Sequence, residues 1–172
     1  NILATSNKVY NVILDCKAVN SDEDYIEPTV KALTEVLGLD EGDIRTRLTA
    51  ESTKESQYQI VKKQLSMDDK KAFEEYCTIP EDTDMTPKEI QERNNVQGVW
   101  FEEDYLRVYP YNELACDTLG FTFSRDTADY GIEGYYNSTL TGTDGRQYGY
   151  FNEDSNVEQT IIEAIDGNSV EL

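Results

Sequence analysis

The first twenty residues carry apolar side chains at both odd and even positions. From Val9 to Leu14 the alternation places apolar groups on both faces of an extended chain, which is typical of a strand buried on both sides. We therefore predict a strand over residues 1–20. The acidic segment 21–24 that follows predicts a turn.

A helical pattern begins after this turn. Its apolar residues recur one helical turn apart and would share one face; they are Ile26, Val30, Leu33 and Leu37. Pro28 suits the first turn of such a helix, and Gly38 suits its end. Residues 40–48 predict a further short helix, with Ile44 and Leu48 one turn apart.

Two helix starts are marked by capping residues. Ser66 with Asp69 forms an N-cap pattern, ahead of a helix whose buried face is predicted to be Ala72, Phe73 and Tyr76. Thr86 with Glu89 forms a capping box, and Pro87 occupies the first helical position. The segment 58–65 between the predicted elements fits either a strand or a helix.

The pattern changes after about residue 95. Strands are predicted at 96–101, 105–109, 121–123, 146–151 and 160–165. Helices are predicted at 111–119, with Gly120 as the stop, and at 131–140. Asp166-Gly167 predicts a hairpin turn ahead of Val170 and Leu172.

The composition narrows the function. The 172 residues carry a formal net charge of −20 and include no His. Such a surface repels nucleic acids and anionic membranes. No apolar run approaches the roughly 20 residues of a membrane span, and no signal-peptide pattern opens the chain. The hydrophobic content of 38% is enough for a modest core.

The absence of His removes most familiar catalytic and metal sites, including Ser-His and Cys-His pairs and His-ligated zinc. Cys16, Cys77 and Cys116 are too far apart in sequence for a CxxC pair and are interpreted as buried or partly buried free thiols. The acidic segments 22–24 and 82–84 lack the glycine and closing Glu of a calcium loop. We predict no catalytic, cofactor or metal site.

The residues needed for penicillin-type serine chemistry are also absent from the sequence. That chemistry needs a Ser with a Lys three residues later, and a Lys-Thr-Gly further on. Ser66 has Lys70 four residues later, and no Lys-Thr-Gly occurs. The chain is therefore not expected to be an enzyme by itself.

Four stretches carry a recognisable pattern in order: residues 1–6 with 9–13, residues 98–99 with 107–110, residues 130–145 and residues 165–172. Together they resemble the N-terminal, non-catalytic region of class B penicillin-binding proteins, the dimerisation or pedestal domain. Residues 1–6 with 9–13 resemble the end of that family's first motif, whose front half would lie upstream of Asn1. Gly98-Val99 and Arg107-Val-Tyr-Pro110 resemble the second motif, an Arg-x-Tyr-Pro that opens a helix ending in Leu-Gly, here Leu119-Gly120.

The third motif is matched by Tyr130-Gly-Ile-Glu133 and by the later residues Tyr136, Asn137, Leu140, Gly142 and Gly145. Asp126 stands where the family often has a first glycine. The segment 165–172 resembles the lead-in to the family's transpeptidase domain. Residues 21–95 match only in helical character.

The resemblance implies an α+β fold, an elongated pedestal with an inserted helical head. Residues 1–20 plus 96–172 would form the strand-bearing pedestal and residues 21–95 the head, with the transpeptidase domain absent. The chain would position that domain and bind partners in bacterial peptidoglycan synthesis. The parent would be a penicillin-sensitive DD-transpeptidase on the outer face of the cytoplasmic membrane, anchored through an N-terminal segment missing here.

The partners that the resemblance implies are the parent's transpeptidase domain, a polytopic glycan polymerase and other elongation or division proteins, with a homodimer as a further option and no nucleic acid. No cofactor is implied. The motif residues are expected to support the fold, and they are Arg107, Tyr109, Pro110, Gly131, Glu133, Leu140 and Gly142.

These residues suggest physical roles. Arg107 is one of three basic residues after residue 99, against fifteen acids, and we predict a partly buried, bidentate ion pair with Glu133; the alternative is that both are solvated. Gly131 and Gly142 are expected in tight turns, and segment 141–145 in a turn with two glycines at positive φ. Core or sheet-face positions are predicted for Tyr109, Tyr135, Tyr136, Tyr148 and Tyr150.

Two other classes stay open at this point. One is a stand-alone acidic extracytoplasmic adhesion or calcium-binding domain, which predicts a gene ending near Leu172 and stability that rises with calcium. The other is a small enzyme that uses carboxylates alone, although no pair among the 35 acids stands out.

Overall fold

A computed structural model describes residues 1–81, 84–113, 115–122, 127–151 and 157–171. These residues form two units, Ser6–Leu106 and the combination of Asn1–Thr5 with Arg107–Leu172. The unit Ser6–Leu106 includes most of the first strand and of the third strand in chain order.

The unit Ser6–Leu106 contains a three-stranded sheet. Its strands are β1 (Thr5–Leu14), β2 (Gln59–Leu65) and β3 (Val99–Val108), in the order β2-β1-β3. β1 pairs antiparallel with β2, from Tyr10 opposite Leu65 to Leu14 opposite Gln59. Val12, Ile13 and Leu14 are each fully buried, so both faces of β1 are covered, as its apolar residues at odd and even positions predict.

The strand predicted over residues 1–20 is confirmed only over β1, because Asp15 caps a helix at Cys16–Val19. The structure also settles two other strand predictions. The ambiguous segment 58–65 forms β2. The separate strands predicted at 96–101 and 105–109 are wrong, because β3 is continuous across them. Three consecutive acids, Glu102 to Asp104, interrupt its apolar pattern without interrupting its backbone.

Five helices of this unit lie around the sheet, and they are α1 (Cys16–Val19), α2 (Glu23–Glu35), α3 (Glu41–Thr49), α4 (Met67–Cys77) and α5 (Pro87–Asn94). The predicted caps are confirmed: the Ser66 hydroxyl accepts from the N–H of Asp69 at 3.1 Å, and the capping box of Thr86 with Glu89 is complete. Pro28 was expected in the first turn but is the sixth residue of α2, because Asp22 caps the helix earlier.

The core of this unit joins β1 and β2 to the helices. Its buried residues are Tyr10, Val12, Leu14, Cys16, Val19, Val30, Ala32, Leu33, Leu37, Ile44, Leu48, Leu65 and Phe73. Within the predicted buried face of α4, Phe73 is buried and Tyr76 is half-buried, but Ala72 is exposed. The helix presents only a narrow stripe to the core.

The second unit holds short elements. They are α6 (Cys116–Leu119), α7 (Gly131–Tyr135), α8 (Asn137–Leu140), β4 (Arg146–Phe151) and β5 (Val157–Ile162). β4 and β5 pair antiparallel, from Arg146 opposite Ile162 to Phe151 opposite Val157. The helix predicted at 131–140 breaks at Tyr136, and the one predicted at 111–119 is helical only over α6.

Two further predictions concern the end of this unit. The hairpin predicted at Asp166-Gly167 is wrong among the described residues, because Ile165 bridges Thr143 and the N–H of Asn168 donates to the Thr139 carbonyl at 2.8 Å. The strand predicted at 121–123 falls partly outside the described residues, as do Leu114, Asp126 and Leu172.

A buried threonine connects α2 to the segment that leads into β3. Thr29 is fully buried, and its hydroxyl accepts from the N–H of Gln97 at 3.0 Å and donates to the Gln97 carbonyl at 3.3 Å. Both backbone groups of one residue thus depend on a single side chain, since a buried polar group needs a partner.

We predict that Thr29→Val lowers the free energy of unfolding by about 1–3 kcal/mol, because a near-isosteric side chain leaves the Gln97 groups without their partner. Urea denaturation of the 172-residue chain measures this. Thr34→Val on the same helix is the control, since the Thr34 hydroxyl bonds only the helix carbonyls of Val30 and Lys31. Equal effects of the two substitutions would contradict the prediction.

Candidate functional site

The predicted ion pair between Arg107 and Glu133 is present. The Arg107 Nη2 and Nε atoms donate to Glu133 Oε1 at 2.7 and 3.1 Å. The Arg107 side chain is 19% exposed and the Glu133 side chain 4%. The solvated alternative is therefore wrong, because this carboxylate has left water and is matched by a guanidinium.

Glu133 is the exceptional group in this part of the molecule. Among the described residues, the buried polar or charged ones are Glu133 and Thr29. A buried carboxylate without a cation is strongly unfavourable. The position of Arg107 at the end of β3 is consequently coupled to that of α7, which carries Glu133.

Two glycines bring the backbone before α7 against the end of α6. Gly120 and Gly131 have φ angles of +74° and +66°. A Cβ on Gly120 would lie 2.0 Å from the Tyr130 carbonyl oxygen, and a Cβ on Gly131 would lie 2.6 Å from the Gly120 nitrogen. Gly131, for which a tight turn is predicted, is the first residue of α7. Its positive φ and the direct backbone contact both require glycine there.

Tyr130 also connects α7 to the end of α6, a role that no sequence pattern predicts. Its hydroxyl donates to the Asp117 carbonyl at 2.5 Å. Its ring lies against that of Phe121, with 6.3 Å between centroids. We name the set Gly120, Tyr130, Gly131 and Glu133 with Arg107 the α7 junction.

A second pair of glycines joins the end of α8 to the segment after β5. A Cβ on Gly142 would lie 2.2 Å from the Ile165 carbonyl oxygen, and a Cβ on Gly167 would lie 1.8 Å from that of Leu140. The positive φ expected at Gly142 and Gly145 is wrong, because neither is among the glycines with positive φ. Close backbone packing, rather than a turn, requires glycine at 142.

Tyr109 and Pro110 lie in a turn. The N–H of Asn112 donates to the Tyr109 carbonyl at 3.1 Å, so Pro110 occupies the second position of a four-residue turn. The prediction that Pro110 opens a helix is therefore wrong. Tyr109 is half-buried, and its hydroxyl accepts from the N–H of Thr122 at 3.1 Å.

The prediction of core or sheet-face positions fails for one tyrosine. Tyr109 and Tyr136 are half-buried, and Tyr148, although 49% exposed, lies on the β4 strand of a sheet. Tyr135 is 81% exposed and lies on no sheet. α7 has a single turn, so Tyr135 at its end points away from the side that buries Glu133. The side chain of Tyr150 lies outside the described residues.

The three cysteines are free and lie in different environments. Cys16 is buried and Cys77 is half-buried, as predicted. Cys116 is exposed, so the burial predicted for that thiol is wrong. Burial raises the pKa of the Cys16 and Cys77 thiols above the ordinary cysteine value. Neither thiol is thereby activated as a nucleophile.

Within the described ranges, no three or more Cys, Asp or Glu side chains are grouped so that they could hold a metal ion. In the same part of the chain, none of the helices has the length and apolar character to cross a membrane. The contacts found at the predicted positions are an ion pair, glycine packing and backbone hydrogen bonds, all of which fix the backbone.

We predict that Arg107→Ala lowers the free energy of unfolding by about 3–5 kcal/mol, because it leaves the buried Glu133 carboxylate without its cation. The control is Arg146→Ala, which removes an exposed arginine of the same unit and should change stability by less than about 0.5 kcal/mol. Urea denaturation compares them. An unchanged midpoint for Arg107→Ala would refute the role of the pair.

Comparison with known proteins gives one family. The sequence matches the model of the Penicillin-binding Protein dimerisation domain over residues 1–172. No curated protein sequence matches the chain at a significant level.

Solved structures give the same fold. Penicillin Binding Protein 2X from Streptococcus thermophilus superimposes with a TM-score of 0.63 at 22% identity, over 97% of this chain and 26% of that one. The complex between Penicillin-Binding Protein PBP2 and MreC from Helicobacter pylori matches with a TM-score of 0.52 at 17% identity, over 98% of this chain and 31% of that one. The chain thus spans about a quarter to a third of these neighbours.

Proposed function

The chain belongs to the penicillin-binding protein dimerisation domain family, and from this premise we propose that it is the non-catalytic positioning and interaction domain of a longer class B penicillin-binding protein. The observation that carries the proposal is the family match over the whole chain. The two structural neighbours are several times longer than the part that this chain covers. The remaining part of the parent would supply the catalytic serine, which fits the lack of the serine-lysine spacing and of Lys-Thr-Gly here.

The proposed setting is peptidoglycan synthesis on the outer face of the bacterial cytoplasmic membrane. The parent would be anchored there by a segment N-terminal to this chain. One structural neighbour is a complex of PBP2 with MreC, which supports a partner-binding role. The partners we propose are the parent's transpeptidase domain, a polytopic glycan polymerase and other elongation or division proteins, or a second copy of the chain.

We also propose that the two observed units correspond to a pedestal and an inserted head. The pedestal would comprise Asn1–Thr5 and Arg107–Leu172, and the head Ser6–Leu106. Both crossings between them fall on strands, at β1 and at β3. This assignment moves the expected boundaries of 20 and 95 to the observed ones and keeps the idea of an insertion.

In this proposal the family-motif residues serve the pedestal's fold. Arg107, Glu133 and Gly131 act through the α7 junction, and Leu140 with Gly142 acts through the backbone contact to Gly167. None of these contacts presents a nucleophile beside a base. Their substitution should therefore alter stability first, and any activity of the parent only as a consequence.

Fluorescent penicillin tests the proposal directly. An antibody raised against this chain should recognise a band in lysate well above 19.6 kDa that is also labelled by fluorescent penicillin. Excess unlabelled penicillin is the control and should abolish the label without affecting recognition. A recognised, unlabelled band of about 20 kDa would contradict the proposal and favour a stand-alone acidic domain.

A further inference from the structure

An apolar cavity lies between α4 and the start of β3 in the unit Ser6–Leu106. Its volume is about 410 Å³, within the range of small binding pockets. The residues that line it are Lys70, Phe73, Glu74, Cys77, Val96, Val99, Trp100 and Phe101. Phe73 and Phe101 meet edge to face in its wall, with 5.5 Å between ring centroids. We call it the α4–β3 cavity.

The cavity opens beside the end strand of a sheet. Among the described residues, β3 lies at one end of the order β2-β1-β3 and pairs with β1 alone. An end strand presents backbone N–H and C=O groups that an extended peptide can pair with. Val99, Trp100 and Phe101, the first residues of β3, belong both to this strand and to the cavity.

The two faces of β3 differ in chemistry. Alternate side chains of a strand share a face, so Val99 and Phe101 lie on the face that also contacts the core, while Glu102 and Asp104 lie on the opposite face. Glu102 accepts a hydrogen bond from the Tyr58 hydroxyl and Asp104 from the Asn11 amide, at 2.7 and 3.2 Å. Both of these hydrogen-bond donors are neutral.

The negative charge beside the cavity lies on β3. The charged residues that line the cavity itself, Lys70 and Glu74, pair with each other, so the lining carries no net charge. Glu102 and Asp104, on the opposite face of β3, accept their hydrogen bonds from neutral donors. A segment that pairs along β3 therefore meets apolar residues on one face and carboxylates on the other, and lysine or arginine side chains are the complement of those carboxylates.

From these features we infer that the α4–β3 cavity binds an extended, basic segment of a partner protein. The segment pairs as a strand with the free edge of β3. Its apolar side chains enter the cavity beside Val99 and Phe101, and its lysine or arginine side chains lie beside Glu102 and Asp104. This inference rests on the proposed interaction role and specifies the chemistry of one partner. The peptide experiment that tests it does not depend on penicillin labelling.

The experiment uses the 172-residue chain and a synthetic peptide of sequence Lys-Val-Lys-Phe-Lys-Val-Lys. Trp100 is the single tryptophan and lines the cavity, so binding should change its emission. Saturating peptide should slow alkylation of the half-buried Cys77 at least tenfold, since the peptide occupies the cavity. The exposed Cys116, in the other unit, is the internal reference, and its rate should not change.

Three controls separate the parts of the inference. The peptide with Glu in place of each Lys should not protect Cys77, because like charges repel. A peptide N-methylated at the amides of alternate residues should not protect it either, because the strand pairing is lost. Cys77→Phe should abolish the emission change by filling the cavity, whereas Cys116→Phe should preserve it.

The inference is overturned by any of several results. These are no protection of Cys77 by the basic peptide, equal protection by the acidic or N-methylated peptide, and equal slowing at Cys77 and Cys116. If Cys77→Phe fails to fold, as judged by circular dichroism, the alkylation rates of the unsubstituted chain still decide the matter. A failed peptide experiment leaves the penicillin-labelled band unaffected, so the two proposals fail separately.

Discussion

The buried carboxylate of Glu133 sets the strongest constraint on the unit Arg107–Leu172. The Glu133 side chain is only 4% exposed. A carboxylate so buried is stable only beside a positive charge, and the Arg107 guanidinium is that charge. The guanidinium can reach Glu133 only if the end of β3 and the turn of α7 keep their positions. The glycine contacts of Gly120 and Gly131 hold α7 against α6 and so help to keep that geometry.

Local sequence patterns predict the helix starts of the unit Ser6–Leu106 well. Capping residues such as Ser66 and Thr86 act within a few residues of chain, so their patterns predict helix starts without knowledge of the fold. The Arg107–Glu133 pair was predictable for a different reason. Arg107 is one of only three basic residues in a stretch with fifteen acids, so an acidic partner is expected for it, and the family resemblance indicates Glu133.

Sequence patterns do not predict contacts between backbone segments that are distant along the chain. Gly142 has an ordinary φ, and it is required because the carbonyl of Ile165 lies against it. No local pattern encodes that contact. The sequence predicts two strands in place of β3, because three acids interrupt its apolar residues. A strand at the end of a sheet nevertheless accepts charged side chains on its exposed face. The α4–β3 cavity was likewise absent from the sequence interpretation, since it depends on the packing of α4 beside β3.

Arg107 and Glu133 should stabilise this unit as a pair rather than independently. A double-mutant cycle with Arg107→Met and Glu133→Gln, measured by urea denaturation of the 172-residue chain, separates the two cases. We expect a coupling energy of about 2 kcal/mol or more, as for groups in direct contact. Additivity within about 0.5 kcal/mol would show that the two side chains act independently, and it would refute the role of the pair.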